Sequence, residues 1–276
     1  MLTPPDITED RLLGGRVRLL QPAGGLRAGH DAVLLAAAVP AKPGDRVLEL
    51  GCGTGAAFLC VAARVPGIEV IAVEREPDLA ALARENAALN GLSDRVTILE
   101  GDIADPALRR ALPRCAQGFA YPPFWADGTT PPAELRRAAT HADAAGLDAW
   151  AACLAAGVSH GGSAWLILPA ARFADGFAAL AGAGFGSPAL LPLWPRQGVA
   201  AKRVILAARR ERAWPRPTGA GAASRRRSFA GGRSDPARRR HARHLMPVSP
   251  CSRHACGVAA SRHQTRFASI VAPIRV

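Results

Sequence analysis

The run Arg46-Val47-Leu48-Glu49-Leu50-Gly51-Cys52-Gly53-Thr54-Gly55 constrains this chain more than any other stretch. A short apolar segment ends in a glycine-rich turn, and residues 56–63 follow with helical character. A strand, glycine loop and helix in that order let a ligand lie on bare backbone at the carboxyl end of a parallel strand. Gly51, Gly53 and Ala56 fit the G-x-G-x-x-G/A spacing of a dinucleotide site. Glu49, Gly51, Gly53 and Gly55, with Cys52 between the first two glycines, fit the acid-x-G-x-G-x-G spacing of an S-adenosylmethionine site equally well. The loop alone leaves both open.

The surrounding pattern gives the fold class. Apolar runs at 69–74, 95–100, 117–120, 163–168, 189–193 and 203–208 read as further strands, and amphipathic stretches at 77–90, 147–158 and 172–183 read as helices. Three strand–helix units in succession require right-handed crossovers and a parallel sheet. The last two strands have only residues 195–202 between them, too short for a crossover helix, so they are expected to pair antiparallel. The expectation is α/β: a seven-stranded, mostly parallel, doubly wound sheet with one antiparallel strand. Ahead of it, residues 11–21 suggest a β-hairpin around Gly14-Gly15. Asp31 stands where a helix begins, either capping that helix or facing the ligand from a lid over the loop.

Three downstream features bear on the choice, and the last two favour S-adenosylmethionine. Glu74 ends the second strand, 19 residues after Gly55, where an acid accepts hydrogen bonds from ribose hydroxyls in either ligand class. Gly101-Asp102-Ile103 then sets a carboxylate at the end of the third strand to receive an adenine amine, with Ile103 as an apolar face beside the ring. At the end of the fourth strand comes the rigid, aromatic-bearing loop Tyr121-Pro122-Pro123-Phe124. No His, Lys or Tyr–Lys constellation suits hydride transfer, and no metal site is expected.

The Pro122-Pro123-Phe124 loop resembles the Asn/Asp-Pro-Pro-Tyr/Phe catalytic loop of amino-methyltransferases. From about residue 10 to 209 the chain resembles the "methyltransferase small" family, closest to bacterial enzymes that methylate N6 of an adenine in the anticodon loop of valine tRNA. The stretches carrying this are Gln21 with Gly29-His30-Asp31-Ala32-Val33-Leu34-Leu35, the glycine loop, and Asn86-Ala87-Ala88-Leu89-Asn90-Gly91-Leu92. Pro122-Pro123-Phe124, Pro192-Leu193-Trp194-Pro195 and Ala201-Lys202-Arg203-Val204 complete them. The resemblance implies that Asp31, Glu49, Gly51, Cys52, Gly53, Gly55, Glu74, Asp102 and Ile103 hold S-adenosylmethionine. It implies that residues 121–124 form the catalytic loop, with Phe124 stacked on a base swung into the pocket. The implied partner is RNA, most directly tRNA. Protein amide methylation, and a catalytically impaired S-adenosylmethionine- or RNA-binding protein, are the competing readings.

Two departures stand out. Where the family pattern has Asn, this chain has Tyr121, whose single phenolic oxygen cannot reproduce an amide's acceptor. The other departure is residues 211–276. Up to residue 210 there are 21 Lys/Arg against 20 Asp/Glu, whereas 211–276 hold 14 Arg against 2 acids. That segment is rich in Arg, Ala, Gly, Pro and Ser, too poor in periodic apolar residues to build a core, and is expected to be disordered. It reads either as an out-of-frame translation of a GC-rich gene or as a cationic arm for RNA phosphates. Cys251 and Cys256 with His254 and His263 match no usual metal spacing. The expected division is therefore a methyltransferase domain at 1–210 and a tail at 211–276. No apolar run reaches the roughly 18 residues of a membrane span, and the acidic, proline-containing start does not look like a signal peptide. With six scattered cysteines and no C-x-x-C pair, the expectation is a reduced, cytoplasmic protein without membrane attachment.

Overall fold

The computed structural model describes residues 7–24, 27–123 and 146–211. Phe124, the proline-bearing loop at 126–143 and the arginine-rich segment 212–276, with the expectations attached to them, lie outside the described residues.

Alternation and turn chemistry place the strands. β1 (Ile7–Leu12) and β2 (Val17–Pro22) form a separate antiparallel hairpin. Gly14 and Gly15 turn it at φ +64° and +92°, left-handed values that an L side chain adopts only at a cost. α1 (His30–Ala38) follows, and then the main sheet begins with β3 (Arg46–Leu50), α2 (Ala56–Arg64), β4 (Glu69–Glu74), α3 (Pro77–Leu89) and β5 (Val96–Glu100). Next come α4 (Pro106–Ala111), β6 (Cys115–Ala120), α5 (Leu147–Gly157), β7 (Val158–Pro169), α6 (Phe173–Gly182), β8 (Phe185–Leu193) and β9 (Arg203–Arg210). The seven main strands run in the order β5-β4-β3-β6-β7-β9-β8. β9 lies antiparallel between β7 and β8, so the short linker forces the reversal and its insertion makes the mixed edge.

β3 pairs in parallel with both β4 and β6, so the strand order reverses beside it. In open α/β sheets that reversal opens the crevice where ligands bind, and here the glycine loop leaves β3 into it. Successive side chains of β3 face opposite sides. Val47 joins the apolar cluster under α1, α2 and α3, whereas Leu48 and Leu50 join the one under α5 and α6. Leu48, Leu50, Phe58 and Phe119 are essentially inaccessible, each contributing about 1.5–3 kcal/mol by burial.

Several strands run past their expected bounds: β6 starts two residues early, β8 four, and β9 ends two residues late. β7 begins five residues before the expected start, because a register shift opposite Cys115 and Gln117 carries the strand through Gly161-Gly162. A Cβ on Gly162 would lie 2.5 Å from the Ala116 carbonyl, so only glycine lets the two strands stay that close. α4 was not expected; Asp105 caps it, accepting from the Ala107 N–H at 2.8 Å, and Pro106 starts it.

The hairpin is fastened by two asparagines one turn apart, Asn86 in α3 and Asn90 at its C-cap. Asn86, fully buried, accepts from the Leu20 N–H at 2.7 Å and donates to the Leu20 carbonyl at 2.8 Å. Asn90 does the same for Arg18, at 2.9 and 2.7 Å. Together they act as a surrogate strand along β2. Asn86 also donates to the Thr54 carbonyl at 2.9 Å, joining the hairpin to the glycine loop. Gln21, also buried, accepts from the Ala28 N–H at 2.9 Å and so sets the approach to α1.

Candidate functional site

The loop after β3 is possible only because Gly51, Gly53 and Gly55 take φ of +63°, +57° and +95°. Their surroundings differ. A Cβ on Gly51 would lie 2.7 Å from the Trp150 ring of α5, and one on Gly55 would lie 2.5 Å from the Phe58 ring. At Gly53 a Cβ would meet nothing within 4 Å. Two glycines are thus demanded by the protein's own packing, whereas at the middle one the described residues leave the Cβ side open.

The acids around this loop have distinct tasks. Glu49 is buried, and its Oε2 accepts from the Phe58 N–H at 2.8 Å in the first turn of α2. Burial pushes its carboxyl well above the usual carboxylate range, with the neighbouring Glu74 charge adding to this and the Phe58 bond opposing it. Glu49 therefore braces the loop from beneath. Glu74, at the end of β4, accepts from the Gly53 N–H at 2.7 Å through Oε2, and from the Arg75 and Glu76 N–H groups at 2.9 Å through Oε1. The Cys52 thiol belongs to the apolar cluster under the loop, and burial holds its pKa well above the ordinary thiol value. Cys60, Cys115 and Cys153 are likewise free and buried.

One strand further out, the Gly101 N–H donates to the Glu74 carbonyl at 3.0 Å, which seats the residues after β5 beside Glu74. There Asp102 is partly exposed, with Oδ1 accepting from the Ala104 N–H at 2.8 Å, and Ile103 is buried with Leu50 and Trp150. The Arg109 Nε–H holds the Ile103 carbonyl at 2.7 Å. Glu74 and Asp102 thus stand at neighbouring strand ends, with the Glu74 carboxylate on the Gly53 N–H.

On the other side of the switch, β6 ends in Tyr121, Pro122 and Pro123. The Tyr121 hydroxyl donates to Asp31 Oδ2 at 2.6 Å, and the Arg203 Nε–H donates to the same oxygen at 2.9 Å. Asp31 is in the first turn of α1, whose N-cap is Gly29 without a side-chain cap, so it bridges β6 and β9 rather than capping its helix. Burial, then the Asp31 bond and charge, push the Tyr121 phenol up to about 12, with Arg203 opposing. Pro122 is buried and Pro123 half-buried.

Sequence reasoning did not give Arg203, Trp150 or Asn86 a place in this site. Arg203 reaches Asp31 because β9 starts opposite Pro169, at the carboxyl end of β7. Trp150 arrives with α5, far along the chain.

A profile described as a methyltransferase domain matches residues 41–112. This match, the seven-strand order and the loop at the strand switch give the chain the fold of the class I methyltransferases. Within that class the chain is similar to the tRNA1(Val) (adenine(37)-N6)-methyltransferase of Porphyromonas gingivalis, with 33% identity over 156 residues, 54% of this chain and 61% of the relative. It is 31% identical over 145 residues to the enzyme of the same name from Yersinia enterocolitica, covering 52% and 57%. The chain therefore spans about three-fifths of the length of these curated relatives. A crystal structure of a predicted O-methyltransferase from Agrobacterium tumefaciens superposes with TM-score 0.54 at 29% identity, over 66% of this chain and 82% of that one. A Thermotoga maritima S-adenosylmethionine-dependent O-methyltransferase, at 19% identity and TM-score 0.51 over 70% and 69%, shares the fold. Among the described residues no helix is long and apolar enough to cross a membrane.

Proposed function

We propose that this chain is an S-adenosylmethionine-dependent methyltransferase acting on N6 of an adenine in RNA, with tRNA as the substrate and the cytoplasm as its setting. The observation that carries the reading is the pair Glu74 and Asp102 at adjacent strand ends, with Glu74 bonded to the glycine loop at Gly53. Two carboxylates at adjacent strand ends match the two donor sets of an adenosine: ribose hydroxyls for Glu74 and the exocyclic amine for Asp102. Ile103 supplies an apolar surface for the ring, while Gly51, Gly53 and Gly55 let backbone approach the ligand. Similarity to the tRNA1(Val) enzymes supports the choice of RNA.

When bound, the sulfonium supplies a methyl already activated toward attack. What remains for the protein is alignment of the target nitrogen, an orientation effect, and acceptance of its protons as positive charge develops. The side-chain part of that acceptance is altered here. Tyr121 turns its phenol onto Asp31 and Arg203 and stays neutral, so it offers no counterpart to an amide oxygen. Acceptance of the amine then falls to backbone, with the Pro122 carbonyl as the candidate group.

The test is transfer of tritiated methyl from S-adenosylmethionine to bulk tRNA by the full chain and by Tyr121→Asn. The expected result is weak labelling by the native protein, stronger labelling by the variant, and N6-methyladenosine after nuclease digestion. Retained S-adenosylmethionine binding with no label in tRNA from either protein would overturn the RNA assignment.

A further inference from the structure

The loop joining β8 to β9 contains none of the residues assigned above to the cofactor, yet it carries the most exposed of the large apolar side chains reported among the described residues. Trp194 is 62% exposed, against 44% for Phe173 and Leu190. Between Asp175 and Glu211 the sequence contains no Asp or Glu, whereas Arg196 and Lys202 follow the tryptophan in the same loop and are both exposed. Among the described residues, an exposed indole thus shares a carboxylate-free stretch of chain with two exposed cations that make no ion pair there. The Ala170 N–H donates to the Lys202 carbonyl at 3.0 Å, anchoring the loop at the carboxyl end of β7. The next residue, Arg203, holds Asp31 and through it Tyr121. The loop is thus at the same end of the sheet as the glycine loop. β8 is three strand spacings from β6, about 14 Å across the sheet at ~4.8 Å per spacing.

We propose that the β8–β9 loop is a docking platform for single-stranded RNA. Trp194 stacks on an unpaired base flanking the target, while Arg196 and Lys202 take the adjoining phosphates. Aromatic stacking with cationic backbone contacts is the way unpaired RNA is held. It suits this position, because a loop nucleotide at Trp194 leaves a neighbouring base within reach of the crevice at β6. The inference rests on the RNA reading above and adds to it the surface that binds the substrate.

The experiment uses the full chain and a tRNA anticodon stem–loop RNA with 2-aminopurine at loop positions beside the target adenine. Fluorescence anisotropy gives affinity, 2-aminopurine quenching reports stacking, and calorimetric S-adenosylmethionine binding confirms an intact fold. Trp194→Leu is expected to weaken RNA binding roughly 5- to 150-fold, the range of one lost base–aromatic stack, and to abolish quenching. Trp194→Phe should retain most of both. Replacing Arg196 and Lys202 together by Ala should flatten the log–log salt dependence by about 1.4, at ~0.7 per single-strand phosphate contact. The 14 arginines of residues 211–276 are common to every variant and cancel in these differences. If native protein methylates tRNA and Trp194→Leu binds it equally well, the platform is wrong and the enzymatic reading stands. Binding of this RNA without quenching by native protein also overturns it. If native protein neither binds nor methylates RNA, both fall; a surface that instead captures acidic peptide would point to a protein partner.

Discussion

Asn86→Ala is expected to loosen the amino-terminal hairpin from the glycine loop. A two-stranded hairpin has little independent stability, so β1–β2 depends on what it is fastened to. Its apolar anchors are Val17 and Leu19, both buried. Its polar anchors include the amides of Asn86 and Asn90, with Arg16 on the Ala63 carbonyl at the turn. Removing the Asn86 amide leaves the Leu20 N–H, the Leu20 carbonyl and the Thr54 carbonyl without that partner. An orphaned buried polar group costs about 1–3 kcal/mol. Leu20 is half-buried, and water reaching it brings its two groups to the lower end. The sum is about 3 kcal/mol, a large share of the ~5–15 kcal/mol of a typical domain. For a unit of this size that means a melting temperature roughly 6–12 °C lower. Asn90→Ala removes a similar set of bonds, but at an exposed edge where water replaces them, so about 1 kcal/mol or less is expected.

The assay is urea unfolding of the full-length variants, with hydrogen exchange of the Leu20 amide and calorimetric S-adenosylmethionine affinity measured in parallel. Asn86→Ala should speed exchange at Leu20 and weaken the cofactor, because the Thr54 carbonyl belongs to the loop. Asn90→Ala should leave cofactor affinity near native. A cost below 0.5 kcal/mol for Asn86→Ala, an order-of-magnitude margin set by typical surface substitutions, would refute the reasoning. Equal costs at the two positions would refute it as well.

Other substitutions separate packing from binding. Gly53→Ala, at φ +57° with open space around the new methyl, should cost only the ~1–2 kcal/mol of left-handed backbone yet reduce S-adenosylmethionine affinity at least about tenfold. Gly51→Ala adds a collision with Trp150, so its unfolding cost should exceed that of Gly53→Ala and be partly relieved in the double variant with Trp150→Ala. Glu49 predicts a pH dependence: burial holds its folded pKa well above 4.5, so the folded state keeps a proton that the unfolded chain releases. That contribution is full below the unfolded value and is lost as pH rises through the folded pKa. Urea midpoints should therefore fall over this range in the native protein and stay flatter in Glu49→Gln, which keeps an acceptor for the Phe58 N–H; identical slopes would disprove it. Tyr121 is the only tyrosine in the chain, so its phenolate absorbance is a clean probe. With its pKa near about 12 it should be nearly un-ionised at pH ~10.5 when folded and mostly ionised after unfolding, where the ordinary value is about 10. Substantial ionisation in the folded protein would contradict the Asp31 contact.

The parts of the site that could be read from the chain are those a parallel sheet places by rule. Every β-strand of a βα unit delivers its carboxyl end to the same side, so Glu49, Glu74 and Asp102 had to gather near the glycine loop once their strands were recognised. The antiparallel pairing of β8 with β9 followed in the same way from the shortness of residues 195–202. What could not be read is where a side chain turns once it arrives. Tyr121 occupies the expected catalytic position, yet its hydroxyl is taken by Asp31, 90 residues earlier, and Asp31 is shared with Arg203, 172 residues after it. That second contact exists only because β9 inserts between β7 and β8, a matter of strand order that no local pattern of apolar residues records. Asn86 and Asn90 carry the same lesson: as letters they belong to a helix and its end, while in the structure they serve as the missing neighbour of β2. Local periodicity places backbone, and long-range pairing then decides which polar atoms are left to meet a ligand. Here that second step ties Tyr121 into a three-residue bridge with Asp31 and Arg203, and under the function proposed above what position 121 offers a target amine is set by those two residues as much as by the loop that contains it.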